Sequence, residues 1–582
     1  MSEGRAKELS DLGDRLFAKK APLDGLNQEI ADIFYPERAN FTTDLQLGAD
    51  FNTGNFDSLP QLLRRELGNA MSATLRPRGQ PWFSATTLDD DLDNDPEVAR
   101  YLEYITMRMR RSMYDERTKF VRATKEADHD FVTFGMNVIS VEEAPNRDHL
   151  FYRAHHLRDC AWLENDLCEI DHLHRKDTMT ARAMVRRFGR AKVHQSVAKA
   201  CETEPGKSIN IRCIVMPADE YDYVEGGGRA KGKERKLPFV IVYIDADNQT
   251  ILREGGLPFF IYNVPRWHTV PGSQYAFSPA TVTALPDGRM AQSLARILLE
   301  AGEKAVDPPM VATEEAVREV NLQAGAVSWV EKEYDERFGA SLRAIEMKGD
   351  MRTGFALRQD IREMLSKAFF IDKLALPEAG KQMTAYEIRT RLEEHVRNLL
   401  PLFEPMEMEY NMGILDRSFR HMLVMKQFDI EMMPDVLSKM NITWSFKNPM
   451  QEASTRILVE QFQEALTIEN AAKNGGAMTT RLNVDFARDD ALRGSGGPAR
   501  WRRANEDLEA EAKAAASKAK LAAAASEIGA GADVAGRVGQ AAQSLQGAGM
   551  LPAPEGASAQ VLPPNVRPPA TQKKLPMLRQ AA

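Results

Sequence analysis

The sequence predicts an α+β fold that is mainly helical. Apolar residues recur at helical spacing before residue 115 and again from residue 278, whereas residues 131–245 contain short runs with strand alternation. The stretch 382–410 adds a capped amphipathic helix that is followed by two prolines. With 582 residues, the chain has room for several domains of about 100–200 residues each.

The first part of the chain, from about residue 7 to 114, is predicted to be helical. A first apolar stripe ends before Pro36, a second helix begins after Ser58, and a third begins near Pro96. The acidic run DDDLDND at 89–95 favours the start of that third helix, because negative charge stabilises a helix N-terminus. A calcium loop is disfavoured there, since its glycine and distal glutamate are missing.

The middle of the chain is predicted to form strands, interrupted by one helix at 180–190. The six strand-like runs are NVISVEE, HLFYRAH, CAWLEN, EIDHLHRKD, NIRCIVMP and FVIVYID. GGGRAKGKERK at 226–236 lies between two of them. We interpret it as a hairpin tip, because its lysine is not followed by Ser or Thr and no helix follows, as a phosphate loop requires.

Histidines and cysteines crowd one window of this strand region: His155, His156, Cys160, Cys168, His172 and His174. Only His172 and His174 have a plausible ligand spacing, and alternation places them on the same face of a strand. Ordinary strand residues are the favoured interpretation, with a zinc site as the alternative. The four cysteines contain no CxxC pair, which is typical of free thiols in a reducing compartment.

A helix–insert–helix arrangement is predicted after residue 277. Ser278 and Pro279 begin the first helix, Pro286 is expected to kink or restart it, and a second helix covers 351–372. The insert between them has strand and turn character. A short loop then leads to a helix whose capping box pairs Thr384 with Glu387.

The remaining features limit the class of protein. A formal net charge of −8 argues against a general nucleic-acid-binding protein, which normally carries a basic surplus. The start of the chain is polar, and the longest apolar runs are far shorter than the ~20 residues of a membrane span. We therefore expect a soluble protein made in the cytoplasm. Without a phosphate loop or a nameable carboxylate cluster, the sequence predicts no enzyme, no cofactor and no metal.

The C-terminal part is predicted to contain a strand at 441–446 and an amphipathic helix at 451–466. Alanine dominates from about 507 to 542, which favours helix but offers little to bury. The last stretch is rich in proline and is expected to be extended or disordered.

Four stretches carry a family resemblance. They are LNQEIADIFYPERANF at 26–41, SPATVTALPDGRMAQ at 278–292 with AVDPPM at 305–310, QMTAYEIRTRLEEHVRNLLPLFEPMEMEY at 382–410 and NPMQEASTRILVEQFQEAL at 448–466. Together, and in this order, they resemble the portal (head-to-tail connecting) proteins of short-tailed, T7-like bacteriophages.

The resemblance implies a portal-like ring subunit with wing, stem, clip and crown regions. It assigns 1–277 to the wing, 278–305 and 351–372 to the two stem helices, 306–350 to the clip, 373–383 to the tunnel loop, 384–506 to wing and crown helices, and 507–582 to a C-terminal barrel or disordered tail. The implied function is a channel at one capsid vertex, through which the terminase motor packages DNA and DNA is ejected, and to which the tail attaches.

The resemblance also implies the partners. They are other copies of the chain in a ring of twelve, double-stranded DNA, the terminase motor, the major capsid and scaffold proteins, and tail adaptor or nozzle proteins, with no membrane. The protein would be assembled in the host cytoplasm and located at the portal vertex of the virion. A non-portal assembly or adaptor protein is the alternative.

Candidate site residues follow from these assignments. Those expected at the DNA channel are Arg352, Arg358, Lys367, Lys373, Leu376, Pro377, Glu378 and Lys381. For each lysine and arginine among them, an exposed helix charge or a contact between subunits is an equally good explanation. Those expected to dock partners at the clip are Glu331, Lys332, Glu333, Asp335, Glu336 and Arg337, with a solvated face as the alternative. Thr384 and Glu387 cap the helix at the tunnel-loop junction.

Overall fold

The computed structural model describes the chain in several stretches. They are residues 2–224 (except 47, 49–51, 53, 80, 90, 91 and 94), 237–306, 310–312, 342–344, 351–371, 406–446 (except 430, 432 and 438–441) and a minority of the residues between 459 and 520. Residues 1–502 form one compact unit and residues 503–582 a second. Within the second unit, residues 513–518 are helical.

The described elements combine helices and sheets, which confirms the predicted α+β fold. The helices are α1 (Ser2–Phe34), α2 (Leu59–Leu75), α3 (Pro96–Met113), α4 (Phe120–Phe134), α5 (Ala181–Phe188), α6 (Gln195–Thr203), α7 (Ala218–Val224), α8 (Pro279–Val306), α9 (Met351–Ala368) and α10 (Met412–Val424), with a π-helical turn at Met406–Asn411. The strands are β1 (Phe83–Thr86), β2 (Val138–Glu143), β3 (Leu150–His155), β4 (Cys160–Glu164), β5 (Ile170–Thr180), β6 (Ser208–Pro217), β7 (Phe239–Asp245), β8 (Thr250–Leu257), β9 (Tyr262–Asn263), β10 (His268–Thr269), β11 (Ala276–Phe277), β12 (Met310–Ala312), β13 (Leu342–Ala344) and β14 (Thr443–Phe446).

Local sequence explains where the first helices begin and end. α1 stops at Phe34, two residues before Pro36, because proline disfavours helical geometry in the residue that precedes it. The Asp95 carboxylate accepts a hydrogen bond from the Glu97 N–H at the start of α3. α4 ends at Gly135, whose φ of +75° and close approach to the Phe277 backbone leave no room for a Cβ.

A five-stranded antiparallel sheet follows the strand order β4-β5-β6-β7-β8. Its two faces belong to different cores, because side chains alternate along each strand. Cys213 and Val215 of β6 face the main core, whereas Ile214 and Met216 face a second cluster. Ala6 and Leu9 of α1 cover that second cluster, so the first turns of α1 seal the outer face of the sheet.

The middle of α1 is also attached to this sheet. Lys20 is 1% exposed and donates hydrogen bonds to the carbonyls of Leu157 and Cys160. Asp24, one turn further along α1, pairs with the Lys20 ammonium at 3.1 Å. Burial lowers the pKa of Lys20, and the Asp24 charge partly offsets that effect.

The other strands form smaller sheets. β3, β2 and β9 make a three-stranded sheet beside α4 and α10, and β10 pairs with β11. β1 pairs antiparallel with β14, from Phe83 opposite Phe446 to Thr86 opposite Thr443. This contact joins two segments that are about 360 residues apart in the sequence.

Most predicted elements are confirmed, and several details were wrong. The strand region contains α6 and α7 in addition to the predicted α5, it continues past residue 245 with β8, and β1 interrupts the region predicted as helical. α9 ends at Ala368, before residue 372. At Pro286, where a kink or a restart was predicted, α8 continues as one helix, so the restart does not occur. The hairpin tip at 226–236 lies outside the described residues.

Candidate functional site

α8 and α9 form an antiparallel helix pair. Gly354 of α9 lies so close to Leu298 of α8 that a Cβ on the glycine would stand 2.7 Å from the Leu298 Cδ2 atom. Beyond the ends of the two helices, Met310 of β12 pairs with Ala344 of β13 in an antiparallel register. Because β12 and β13 are antiparallel, Ala312 at the end of β12 lies opposite Leu342 at the start of β13. The chain therefore leaves for the insert 313–341 and returns from it at the same end of the helix pair.

The other end of the helix pair packs on α1. Gly288 of α8 lies against Ile33 and Phe34, where an added Cβ would be 3.0 Å and 3.1 Å from their nearest atoms. The ring of Phe34 also lies 5.4 Å from that of Phe369, which follows α9. Arg289 adds an ion pair to Glu29 at 2.6 Å on the exposed side of this contact.

Asp57 attaches the helix pair to the segment before α2. Its carboxylate is 4% exposed and accepts from the Leu59 N–H at 3.0 Å. Arg358 and Arg362, one turn apart on α9, pair with the same carboxylate at 3.2 Å and 3.1 Å. Gln292 of α8 completes the contact, because its amide oxygen accepts from the Asp57 N–H and its amide nitrogen donates to the Asp57 carbonyl.

The electrostatics of this contact favour the ionised carboxylate. Burial alone would raise the pKa of Asp57, because it penalises the charged form. The Leu59 N–H and the two guanidinium groups outweigh that penalty and hold the pKa of Asp57 below its usual value. No local sequence pattern predicts this cluster, because Asp57 and Arg362 are 305 residues apart.

The structure places three of the predicted channel residues. Arg358 faces its own chain and is engaged by Asp57, whereas Arg352 and Lys367 are exposed on α9. Fifteen residues separate those two, so at 3.6 residues per turn they lie within about 60° of each other around the helix. The other predicted site residues lie outside the described part of the chain: Glu331, Lys332, Glu333, Asp335, Glu336, Arg337, Lys373, Leu376, Pro377, Glu378, Lys381, Thr384 and Glu387.

Apolar side chains are exposed along both helices of the pair. Eight of the 22 exposed large hydrophobic residues in the described chain are on α8 and α9: Val282, Met290, Ile297, Leu299, Val306, Phe355, Leu357 and Met364. Ile297 and Phe355 are 59% and 53% exposed and flank the Leu298–Gly354 contact. An exposed apolar surface of this kind typically marks a protein–protein contact.

A second buried cluster fixes the π-helical turn that precedes α10. The Arg76 guanidinium pairs with Asp128 and donates to the Asn411 side-chain oxygen at 2.8 Å. The Tyr410 hydroxyl donates to the same Asp128 carboxylate at 2.8 Å, and burial raises the pKa of Tyr410. Arg266 pairs with Glu409 at 3.1 Å beside them. The turn directly follows Pro405, one of the two prolines after the predicted capped helix, although Pro405 itself lies outside the described residues.

His172 and His174 lie on one face of β5, as alternation predicted, and their Nε2 atoms are 2.9 Å apart. The Glu220 carboxylate lies 3.0 Å from the His172 Nδ1 atom and accepts a hydrogen bond from it. In the neutral tautomer of His172 that this bond selects, the Nε2 atom accepts a hydrogen bond from the His174 Nε2–H. Among the described residues, no group of three or more His, Cys, Asp or Glu side chains is placed to hold a metal ion. A histidine hydrogen-bond chain accounts for this pair.

No helix in the described stretches is both long and apolar enough to cross a membrane.

Comparisons with known proteins agree with one another. The family model described as "Bacteriophage head to tail connecting protein" matches residues 6–501. The chain is similar to the "Probable portal protein" of Bordetella phage BPP-1, with 26% identity over 406 residues, which is 68% of this chain and 70% of that protein. It is also similar to the "Portal protein" of Salmonella phage epsilon15, with 23% identity over 470 residues, which is 79% of this chain and 82% of that protein.

Proposed function

Because this chain belongs to the family of bacteriophage head-to-tail connecting proteins, the portal proteins found at a capsid vertex of the virion, we propose that its copies form a closed ring through which the phage DNA passes. The family is one of structural proteins that join head to tail. The alternative of a non-portal adaptor is not favoured by a match over residues 6–501.

The observation that carries the ring is the antiparallel α8–α9 pair with its outward apolar side chains. One side of the pair is buried on α1 and Asp57, whereas Ile297, Leu299, Phe355 and Met364 are each more than half exposed. A single subunit leaves these side chains exposed to water. Burying them against a neighbouring copy would stabilise the assembly by about 0.8 kcal/mol for each CH₂ group removed from water. Lateral packing of helix pairs from neighbouring copies would cover them.

The regions of the ring follow from this placement. We propose that α8 and α9 are the stem, that the segment 306–350 between them is the clip at which the terminase motor and tail proteins dock, and that residues 373–383 form the tunnel loop. The wing would comprise residues 1–277, residues 384–506 would supply wing and crown helices, and residues 507–582 would form a C-terminal barrel or tail. The β12–β13 pairing supports a compact clip, because it brings the two ends of the insert together.

The channel wall would be mostly acidic or neutral, in keeping with the net charge of −8. A wall rich in Lys and Arg would bind phosphates through counterion release and slow passage of the duplex. Arg352 and Lys367 are the described candidates for weak contacts with DNA. Arg358 is a poorer candidate than the sequence suggested, because it is less exposed than those two and its guanidinium faces the buried Asp57.

Imaging of the purified full-length protein by negative-stain electron microscopy, together with native mass spectrometry, tests the proposal. We expect closed rings with a central opening wide enough for a duplex and a mass near twelve copies. Compact particles without an opening at every concentration would contradict the ring. Rings with a different copy number would correct the proposed number of twelve but would still support a ring-shaped channel.

A further inference from the structure

An open basic groove lies at the C-terminal end of α3. It has a volume of about 990 Å³ and is bounded by the end of α3, the turn at Glu116–Thr118 and the first two turns of α4. Six cationic side chains line this basic groove: Arg78, Arg110, Arg111, Lys119, Arg122 and Lys125. Only Asp115 and Glu116 oppose them, so the lining carries +6 − 2 = +4 in a chain whose net charge is −8.

Most of these cations are not neutralised within the described chain. Arg122 pairs with Glu126, but no described carboxylate lies within ion-pair distance of Arg78, Arg111, Lys119 or Lys125. The Asp115 carboxylate is engaged by Arg117 at 2.9 Å, which holds the pKa of Asp115 at about 2. Arginines near the C-terminal end of α3 interact favourably with the helix dipole, which explains their position. Arg78, Lys119 and Lys125 belong to other parts of the chain, so the dipole of α3 does not explain why they line the same groove.

The floor of the basic groove is apolar, and this decides the kind of partner. Met107 is 44% exposed there, beside Val121 and Phe120. A nucleic acid would contact the cations but would leave Met107 without an apolar partner. Phe120 is 2% exposed, so it is not available to stack on a base. A protein segment that carries both carboxylates and an apolar side chain matches both features.

The chain contains such a segment at the opposite end of α3. Leu88 is 81% exposed and is followed by five aspartates in residues 89–95. Asp93 and Asp95 bond within their own chain, to Thr87 and to the Glu97 N–H. Twelve residues of helix separate Asp95, at the end of the segment, from Met107, the first residue of α3 that lines the groove, which is about 18 Å at 1.5 Å per residue. The segment of one copy therefore lies beyond side-chain reach of its own groove.

We propose that the basic groove of one copy receives the acidic segment 88–95 of a second copy. Such a contact is heterologous, with different surfaces on the two partners, and repeated contacts of this type close into a ring when the rotation permits. The proposal rests on the ring proposed above and adds the residues that select the neighbour. Aspartates would meet Arg111, Lys119 and Lys125, and Leu88 would cover Met107.

Charge reversal on each side, alone and combined, tests the contact. The groove variant is Arg111→Glu with Lys125→Glu, and the segment variant is Asp89→Lys with Asp90→Lys. Each is expected to raise the protein concentration at half-assembly by about tenfold or more, since like charges then oppose each other. A chain carrying all four changes has complementary charges again and is expected to recover most of the loss. Light scattering across a concentration series measures the effect.

A matched control separates this contact from general charge effects. Arg182→Glu with Arg186→Glu makes the same charge change on α5, where both arginines are exposed, and is expected to leave assembly unchanged. Assembly of the groove variant at the wild-type concentration would overturn the proposal, as would a fourfold variant worse than either pair alone. A groove variant that forms rings but loses affinity for a duplex oligonucleotide would assign the groove to nucleic acid instead. Absence of rings from the wild-type protein would count against the proposed function itself.

Discussion

At the scale of single residues, Asp57 is the point at which two distant parts of the chain meet. Its carboxylate is buried, yet it stays ionised because a backbone N–H and two guanidinium groups surround it. The same site withdraws Arg358 from the set of side chains that a channel could use. From the sequence, the Arg358 guanidinium was expected to be available to DNA, whereas in the structure it helps to attach α9 to the segment before α2.

Replacement of Asp57 by asparagine is expected to destabilise the fold by about 1.5–3 kcal/mol at neutral pH, the usual range for hydrogen bonds to a charged group. Because the folded-state pKa of Asp57 is lowered, its contribution is present above the unfolded pKa of about 3.9 and is lost as the pH falls through the folded value. Urea unfolding of wild type and variant at pH 7 and below pH 4 measures this. Asp360→Asn, on the exposed side of α9, is the control, and an equal difference at both pH values would contradict the prediction.

Tyr410 is the second residue whose chemistry can be isolated. Tyr410→Phe removes the hydroxyl that donates to Asp128, and it leaves a buried carboxylate with Arg76 as its remaining partner. We expect a loss of about 1.5–3 kcal/mol in the free energy of unfolding. Tyr101→Phe is the control, because that hydroxyl donates to a neutral carbonyl at 3.2 Å and should cost about 1 kcal/mol or less. Equal losses in the free energy of unfolding of the two variants would show that the hydrogen bond to the Asp128 carboxylate stabilises the fold no more than a hydrogen bond to a neutral carbonyl does.

At the scale of elements, the contact between α8 and α1 depends on a missing side chain. Gly288 faces Ile33 and the fully buried Phe34, so Gly288→Val is expected to overpack the contact and cost about 1–3 kcal/mol. Gly302→Val, on the same helix, meets nothing within 4 Å and should be neutral or slightly stabilising. Thermal unfolding of both variants compares them. A Gly288 variant as stable as the Gly302 variant would show that α1 and α8 separate at little cost.

Local sequence was sufficient for elements with a clear period and a clear boundary. α1 with Pro36 after it, α3 with Asp95 and Pro96 at its start, and four strands of the five-stranded sheet, β4 to β7, were predicted in place, whereas the edge strand β8 was not predicted. It was insufficient for β1, a four-residue strand whose partner β14 lies at the far end of the unit. Short helices such as α7 were missed because seven residues carry too little periodicity among neighbouring strands.

The candidate site was predictable in outline and not in detail. Two helices around an insert followed from caps, prolines and apolar spacing, and the family name followed from four ordered motifs. Which face of α9 is buried depends on Asp57 and Gln292, which no local pattern links to Arg358. The anchoring of the π-helical turn through Arg76 and Asp128 is equally a product of tertiary contacts.

At the scale of the whole molecule, the exposed apolar residues of the helix pair predict how copies pack. Ile297→Glu with Phe355→Glu places charges in the surface that we expect to be buried between neighbours, so rings should give way to folded monomers. Leu167→Glu with Val270→Glu changes two exposed apolar residues remote in sequence from α8 and α9, and it should leave rings intact. Native mass spectrometry distinguishes the two variants. Rings in the first variant would place the lateral contact elsewhere.

The length of α1 has a practical consequence. Its first ten residues shield Ile214, Met216 and Val242 from water, and Lys20 binds the chain at Leu157 and Cys160 ten residues later. A protease that cut between these points would remove the first turns of α1 from the folded subunit. The apolar outer face of the five-stranded sheet would then be exposed, and the subunit would be prone to aggregate. Affinity tags and fluorescent labels fused close to Ser2 should therefore be joined through a long, flexible spacer.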